Sequence, residues 1–123
     1  MELLVLEDLK DMSEEELRDH IVEDYEVERE ELDQYDILIA YESVGSWGCD
    51  SESFFLLKNK DTGQLFENHA SHCSCYGFEH QFEPEETTVE YLQSEHFGFC
   101  NGGYDEDSER NRDKIMRYIE QLQ

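Results

Sequence analysis

Asp36-Ile37-Leu38-Ile39-Ala40-Tyr41, followed after a loop by Ser53-Phe54-Phe55-Leu56-Leu57-Lys58 and by Asp61-Thr62-Gly63-Gln64-Leu65-Phe66-Glu67, decides the fold. Each apolar run is short and rich in β-branched and aromatic side chains, the composition of a strand. Asp61-Thr62-Gly63 is a hairpin turn signal. Val44-Gly45-Ser46-Trp47-Gly48 reads as a turn or loop. The apolar runs are continuous rather than alternating, which predicts a small antiparallel sheet of about three strands, covered on both faces.

On the N-terminal side, Ser13-Glu14-Glu15-Glu16 has the form of a capping box. Leu17, Ile21 and Tyr25 follow at four-residue spacing, so one apolar stripe runs along a helix whose other faces are acidic. A second short helical stretch is expected over 28–35 with Leu32 as its apolar contact. Residues 1–9 fit either strand or helix. Beyond Pro84, Thr87-Thr88-Val89-Glu90 is a second capping box, with Val89 and Leu92 on its buried side. Residues 98–107 form a loop, and a last helix starts at Asp107 or Ser108 and buries Ile115, Ile119 and Leu122, with Met116 broadening the stripe. The expected class is α+β in one domain: an acidic helical part (1–36), a β-meander (37–83) and C-terminal helices (84–123).

Charge narrows the function. The chain holds 33 acidic and 9 basic side chains, a formal charge of −24 over 123 residues. Residues 1–36 alone carry sixteen acids and three bases. Direct binding to DNA or RNA is thereby disfavoured, because affinity for phosphates comes from Lys and Arg. The partner such a field attracts is a basic surface, most commonly a nucleic-acid-binding groove. Seven Phe, seven Tyr and one Trp argue for a folded core despite the charge. No apolar run approaches the roughly 18 residues of a membrane span. The apolar patch at residues 3–6 is too short and too acidic in its flanks for a signal peptide, so a cytoplasmic protein is expected.

The densest chemistry is His69-Ala70-Ser71-His72-Cys73-Ser74-Cys75-Tyr76-Gly77. Two thiols and two imidazoles invite a zinc reading, with Cys49, His80, His96 or Cys100 as remote ligands. Cys73-x-Cys75 is closer than the usual two to four residues between zinc cysteines. In an extended segment both thiols and His69 share a face, while His72 points away. The competing reading is a buried turn in which cysteine packs as a small hydrophobe. Nucleophilic or redox use of Cys73 or Cys75 lacks an activating base or positive patch. Four cysteines allow three disulfide pairings, which a reducing compartment disfavours.

The run Ser71-His72-Cys73-Ser74-Cys75-Tyr76-Gly77-Phe78-Glu79-His80-Gln81-Phe82-Glu83-Pro84-Glu85-Glu86-Thr87 resembles a motif of small uncharacterised proteins encoded by tailed bacteriophages and prophages. In that family Gly commonly precedes the Ser, and Trp stands where Phe82 is. Ala70 and Phe82 depart from the pattern. The resemblance spans residues 37–93 and implies a phage origin and an α+β fold. It carries no catalytic residue to transfer.

Other chemistry finds little support. Carboxylates are too abundant to single out a catalytic pair, and no Ser-His-Asp order, P-loop or dinucleotide fingerprint occurs. Asp105, Glu106, Asp107 and Glu109 lack EF-hand spacing and suit an acidic helix start. The expectation is a binding protein rather than an enzyme: a phage-encoded acidic inhibitor in the host cytoplasm. It would mimic DNA charge to block a restriction, CRISPR or transcription complex. Glu14, Glu15, Asp19, Glu23, Glu28, Glu30, Glu31 and Trp47 would touch the partner. The alternative is a small zinc-stabilised regulatory module with ligands drawn from Cys49, His69, His72, Cys73, Cys75 and Cys100.

Overall fold

The computed structural model describes residues 3–7, 9, 11–43, 51–72, 82–93 and 114–122. The chain divides into two compact units, Met1–Glu86 and Thr87–Gln123. The class is α+β, with a five-stranded mixed sheet and four helices among the described residues.

The first unit is built on the meander. Strands β2 (Tyr35–Ser43), β3 (Ser51–Asn59) and β4 (Leu65–His72) pair antiparallel in chain order. Strand β1 (Leu4–Glu7) lies parallel to β2, with Leu4 opposite Ile39 and Glu7 opposite Glu42. This settles the N-terminal segment as strand. Strand β5 (Glu85–Thr87) is last in the order β1-β2-β3-β4-β5. The turn between β3 and β4 falls where Asp61-Thr62-Gly63 predicts it. Asn59 Oδ1 accepts from the amides of Asp61 and Thr62, each at 2.9 Å, and Gly63 takes a φ of +75°. Glycine reaches that left-handed conformation without the penalty a Cβ brings.

Helix α1 (Glu14–Tyr25) starts at Ser13, whose hydroxyl accepts from the Glu16 amide at 3.2 Å. Its stripe of Leu17, Ile21 and Tyr25 is buried, as the four-residue spacing predicts. Helix α2 (Arg29–Leu32) is shorter than expected because Tyr35 already belongs to β2, and Leu32 is its buried contact. Together with Leu9 and Val27 these side chains pack on one sheet face made by Ile37, Ala40, Phe55, Leu57 and Ala70. Tyr25 meets the edge of Phe55 with ring centroids 5.5 Å apart. Ile39, Tyr41, Phe54 and Leu56 are also buried, so both faces are covered, as the continuous apolar runs require.

A bulge in β2 sets which residues face α1. Ile37 pairs with Leu57 but Ile39 pairs with Leu56, leaving Leu38 as the extra residue. Ile37 and Ala40, an odd number apart, therefore share the helix-facing core. In a regular strand the period of two would keep Ile37 with Ile39 and Tyr41. The bulge instead assigns Ala40, and hence Glu42, to the side under α1.

In the second unit the capping box after Pro84 shifts by one residue. Glu85–Thr87 is strand, and Thr88 is the N-cap of α3 (Val89–Leu92), its hydroxyl accepting from the Tyr91 amide at 3.1 Å. Only Thr87 has a Glu three residues on, but either threonine hydroxyl can cap a helix, and the strand Glu85–Thr87 leaves that role to Thr88. Leu92 is buried and Val89 half-buried. Helix α4 covers 114–120, with Ile115 and Ile119 buried. Its expected start and the 98–107 loop lie outside the described residues, as does the 44–48 loop.

Candidate protein interaction face

All twelve acidic residues between Ser13 and Asp36 are exposed. Among them are Glu14, Glu15, Asp19 and Glu23 on α1 and Glu28, Glu30 and Glu31 at α2, every described residue expected to touch a partner. The apolar stripes of both helices face the sheet, so amphipathic geometry turns the carboxylates outward. Along α1, six exposed carboxylates occupy a length of about 18 Å. That is the span of about five phosphates on one DNA strand.

The two arginines of this segment are engaged internally. Arg18 is buried, and its guanidinium donates to the carbonyls of Leu32 at 3.3 Å and Tyr35 at 2.9 Å. It also donates to Glu14 Oε1 at 3.2 Å and Asp33 Oδ1 at 3.3 Å. Arg29 reaches Glu15 at 2.8 Å, Asp19 at 3.0 Å and Asp33 at 3.0 Å. Hydrogen bonds that Arg29 donates to Glu15 and then to Asp33 push its pKa above the ordinary value. Each planar fork joins α1 to the α2 region, a geometry lysine cannot reproduce. The surplus negative charge is thus held on a braced pair of helices.

Beneath the C-terminal half of α1 sits a second, mostly buried cluster. Glu42 Oε2 receives the Tyr25 hydroxyl at 3.0 Å and contacts His20 Nε2 at 2.9 Å, while His20 Nδ1 lies 3.4 Å from Asp24 Oδ2. The hydrogen bond to Glu42 raises the His20 pKa against an opposing effect of burial, with the charges of Glu42, Asp24 and Glu23 adding to it. Burial, then the Glu42 charge, pushes the Tyr25 phenol far above its ordinary value, so it stays a donor. Ser53 is the cross-strand partner of Glu42. Its buried hydroxyl comes near that of Tyr25 without a hydrogen bond of good geometry. The sequence carries the i, i+4 pair His20 and Asp24, but no local pattern marks the cluster, because Glu42 joins it only through the bulge.

Of the proposed zinc ligands, Cys49, Cys73, Cys75 and Cys100 lie outside the described residues, as does Trp47. His72 ends β4, and His69 contacts Glu67 Oε1 at 3.2 Å and packs its ring 5.0 Å from that of Phe54. No helix among the described residues is long and apolar enough to cross a membrane. Compared with known proteins, the chain matches no family model, no curated protein and no solved structure.

Proposed function

We propose that this protein is an acidic binding protein that imitates the charge of DNA. Carried by a phage and acting in the host cytoplasm, it occupies the cationic groove of a nucleic-acid-handling complex, of the restriction, CRISPR or transcription class. It acts by occupancy rather than by catalysis. One observation carries this reading: twelve exposed carboxylates on the α1–α2 segment face solvent while both arginines there are consumed internally. Half of residues 11–36 are exposed acids, a far higher density than elsewhere among the described residues. A solubility coat has no need of such concentration on one segment.

The test reverses Glu23, Glu28, Glu30 and Glu31 to Lys, sparing the carboxylates that hold Arg18 and Arg29. Partners captured from host lysate by the native chain should release as salt rises past about 0.1 M, where the Debye length falls to about 10 Å. Added duplex DNA should displace them. The reversed variant should bind at least about tenfold more weakly with an unchanged circular dichroism spectrum. A partner that is held equally by both proteins, or that ignores salt and DNA, would overturn the proposal.

A further inference from the structure

We propose that His20, Asp24 and Glu42 form a binding site for a divalent transition-metal ion of the zinc class. One donor atom from each residue lies within 4.8 Å of the others. Helical spacing puts His20 and Asp24 on one face of α1, and the β2 bulge brings Glu42 up beneath them. Glu42 is buried, His20 mostly so, and Asp24 half-exposed, which leaves an entry path from solvent on the Asp24 side.

The donor set selects the ion. One imidazole nitrogen with two carboxylate oxygens suits zinc and its neighbours, whereas calcium takes six to eight oxygens and magnesium keeps most of its water. Donor atoms about 2.0–2.2 Å from a tetrahedral ion stand roughly 3.3 Å apart. His20 Nε2 and Glu42 Oε2, at 2.9 Å, are already close to that separation. The ion replaces the proton shared by these two atoms, and that proton leaves to solvent. Asp24 closes the third position by side-chain rotation, and water takes the fourth.

Ser53 supplies an independent indication. Only 3% exposed and next to Glu42 across the β2–β3 ladder, it buries a hydroxyl that lies near that of Tyr25 but makes no hydrogen bond of good geometry. An unsatisfied buried hydroxyl calls for an explanation. A carboxylate that turns to coordinate an ion needs such a donor for its second oxygen, as outer partners of metal ligands commonly provide. The site stands independently of whether the acidic face binds a partner.

The decisive measurement follows the His20 imidazole resonances of the full chain by nitrogen-15 NMR as Zn²⁺ is added. One equivalent should shift them, while Ca²⁺ or Mg²⁺ at the same concentration should not. Asp24→Asn, at an exposed position that leaves the fold intact, should weaken the effect at least about tenfold, and His20→Gln should remove the corresponding calorimetric event. Resonances that ignore Zn²⁺, or affinity undiminished by Asp24→Asn, would overturn the site. In the second case the ion reaches His20 without Asp24, and the three-residue site is wrong. Because the readout is a resonance of His20 itself, a second ion on the cysteines cannot imitate it.

Discussion

The Tyr25 hydroxyl donates to Glu42 Oε2 across 3.0 Å, joining the last turn of α1 to the C-terminal end of β2. Glu42 is a carboxylate kept away from water, so its donors matter more than those of a surface acid. Tyr25→Phe preserves the edge contact with Phe55 but removes one of them. Urea denaturation should show a loss of about 1.5–3 kcal/mol, the range for a hydrogen bond to a charged group. A change below about 0.5 kcal/mol would show that the bond contributes little.

Arg18 is a brace rather than part of the display. Its carboxylate partners, Glu14 and Asp33, are exposed and rehydrate when it is lost, but the carbonyls of Leu32 and Tyr35 lose a charged donor. Arg18→Met should therefore cost about 2–3 kcal/mol in chemical denaturation. Arg18→Lys should recover only part of it, because an ammonium cannot address four acceptors from one plane.

The Asp33 carboxyl is held below its ordinary value of 3.8, first by the hydrogen bond from Arg29 and then, against slight burial, by the charges of Arg29, Arg18 and Lys60. A depressed folded pKa means a stabilising contribution present above the unfolded value and lost as pH falls through the folded one. Arg29→Gln should move the Asp33 titration, followed by carboxyl carbon-13 NMR, upward toward 3.8. The same variant should show a shallower loss of stability on acidification.

Among the described residues, two positions occupy left-handed backbone with opposite residue choices. Glu26, the C-cap of α1, has φ 53° despite its side chain, whereas Gly63 has φ +75° in the β3–β4 turn. Glu26→Gly should raise stability by up to about 1 kcal/mol, since left-handed backbone costs an L-residue roughly 1–2 kcal/mol and glycine returns part as chain entropy. Gly63→Ala should lower it by about 1 kcal/mol. The added Cβ would meet only Lys58 Cε at 3.9 Å, so crowding contributes nothing and thermal melts read the backbone term directly.

Local signals proved reliable where one segment held all the information needed. Ser13 as a cap, the stripe of Leu17, Ile21 and Tyr25, and the Asp61-Thr62-Gly63 turn each depend on neighbours within about four residues. Signals failed where two local solutions were open. Thr87 and Thr88 can both cap a helix, and Tyr35 can end a helix or begin a strand. The strand at Leu4–Glu7 depends on a parallel partner more than thirty residues away, which no local pattern announces.

Composition and periodicity alone determined the α+β class, the surplus of carboxylates and their outward direction on α1, because amphipathic spacing forces polar groups away from a buried stripe. Only the tertiary structure decided where Arg18 and Arg29 would spend their charge and that Glu42 would sit beneath His20. A single extra residue, Leu38, reverses the face of every side chain that follows it in β2, and a strand's alternation carries no mark of where that reversal occurs.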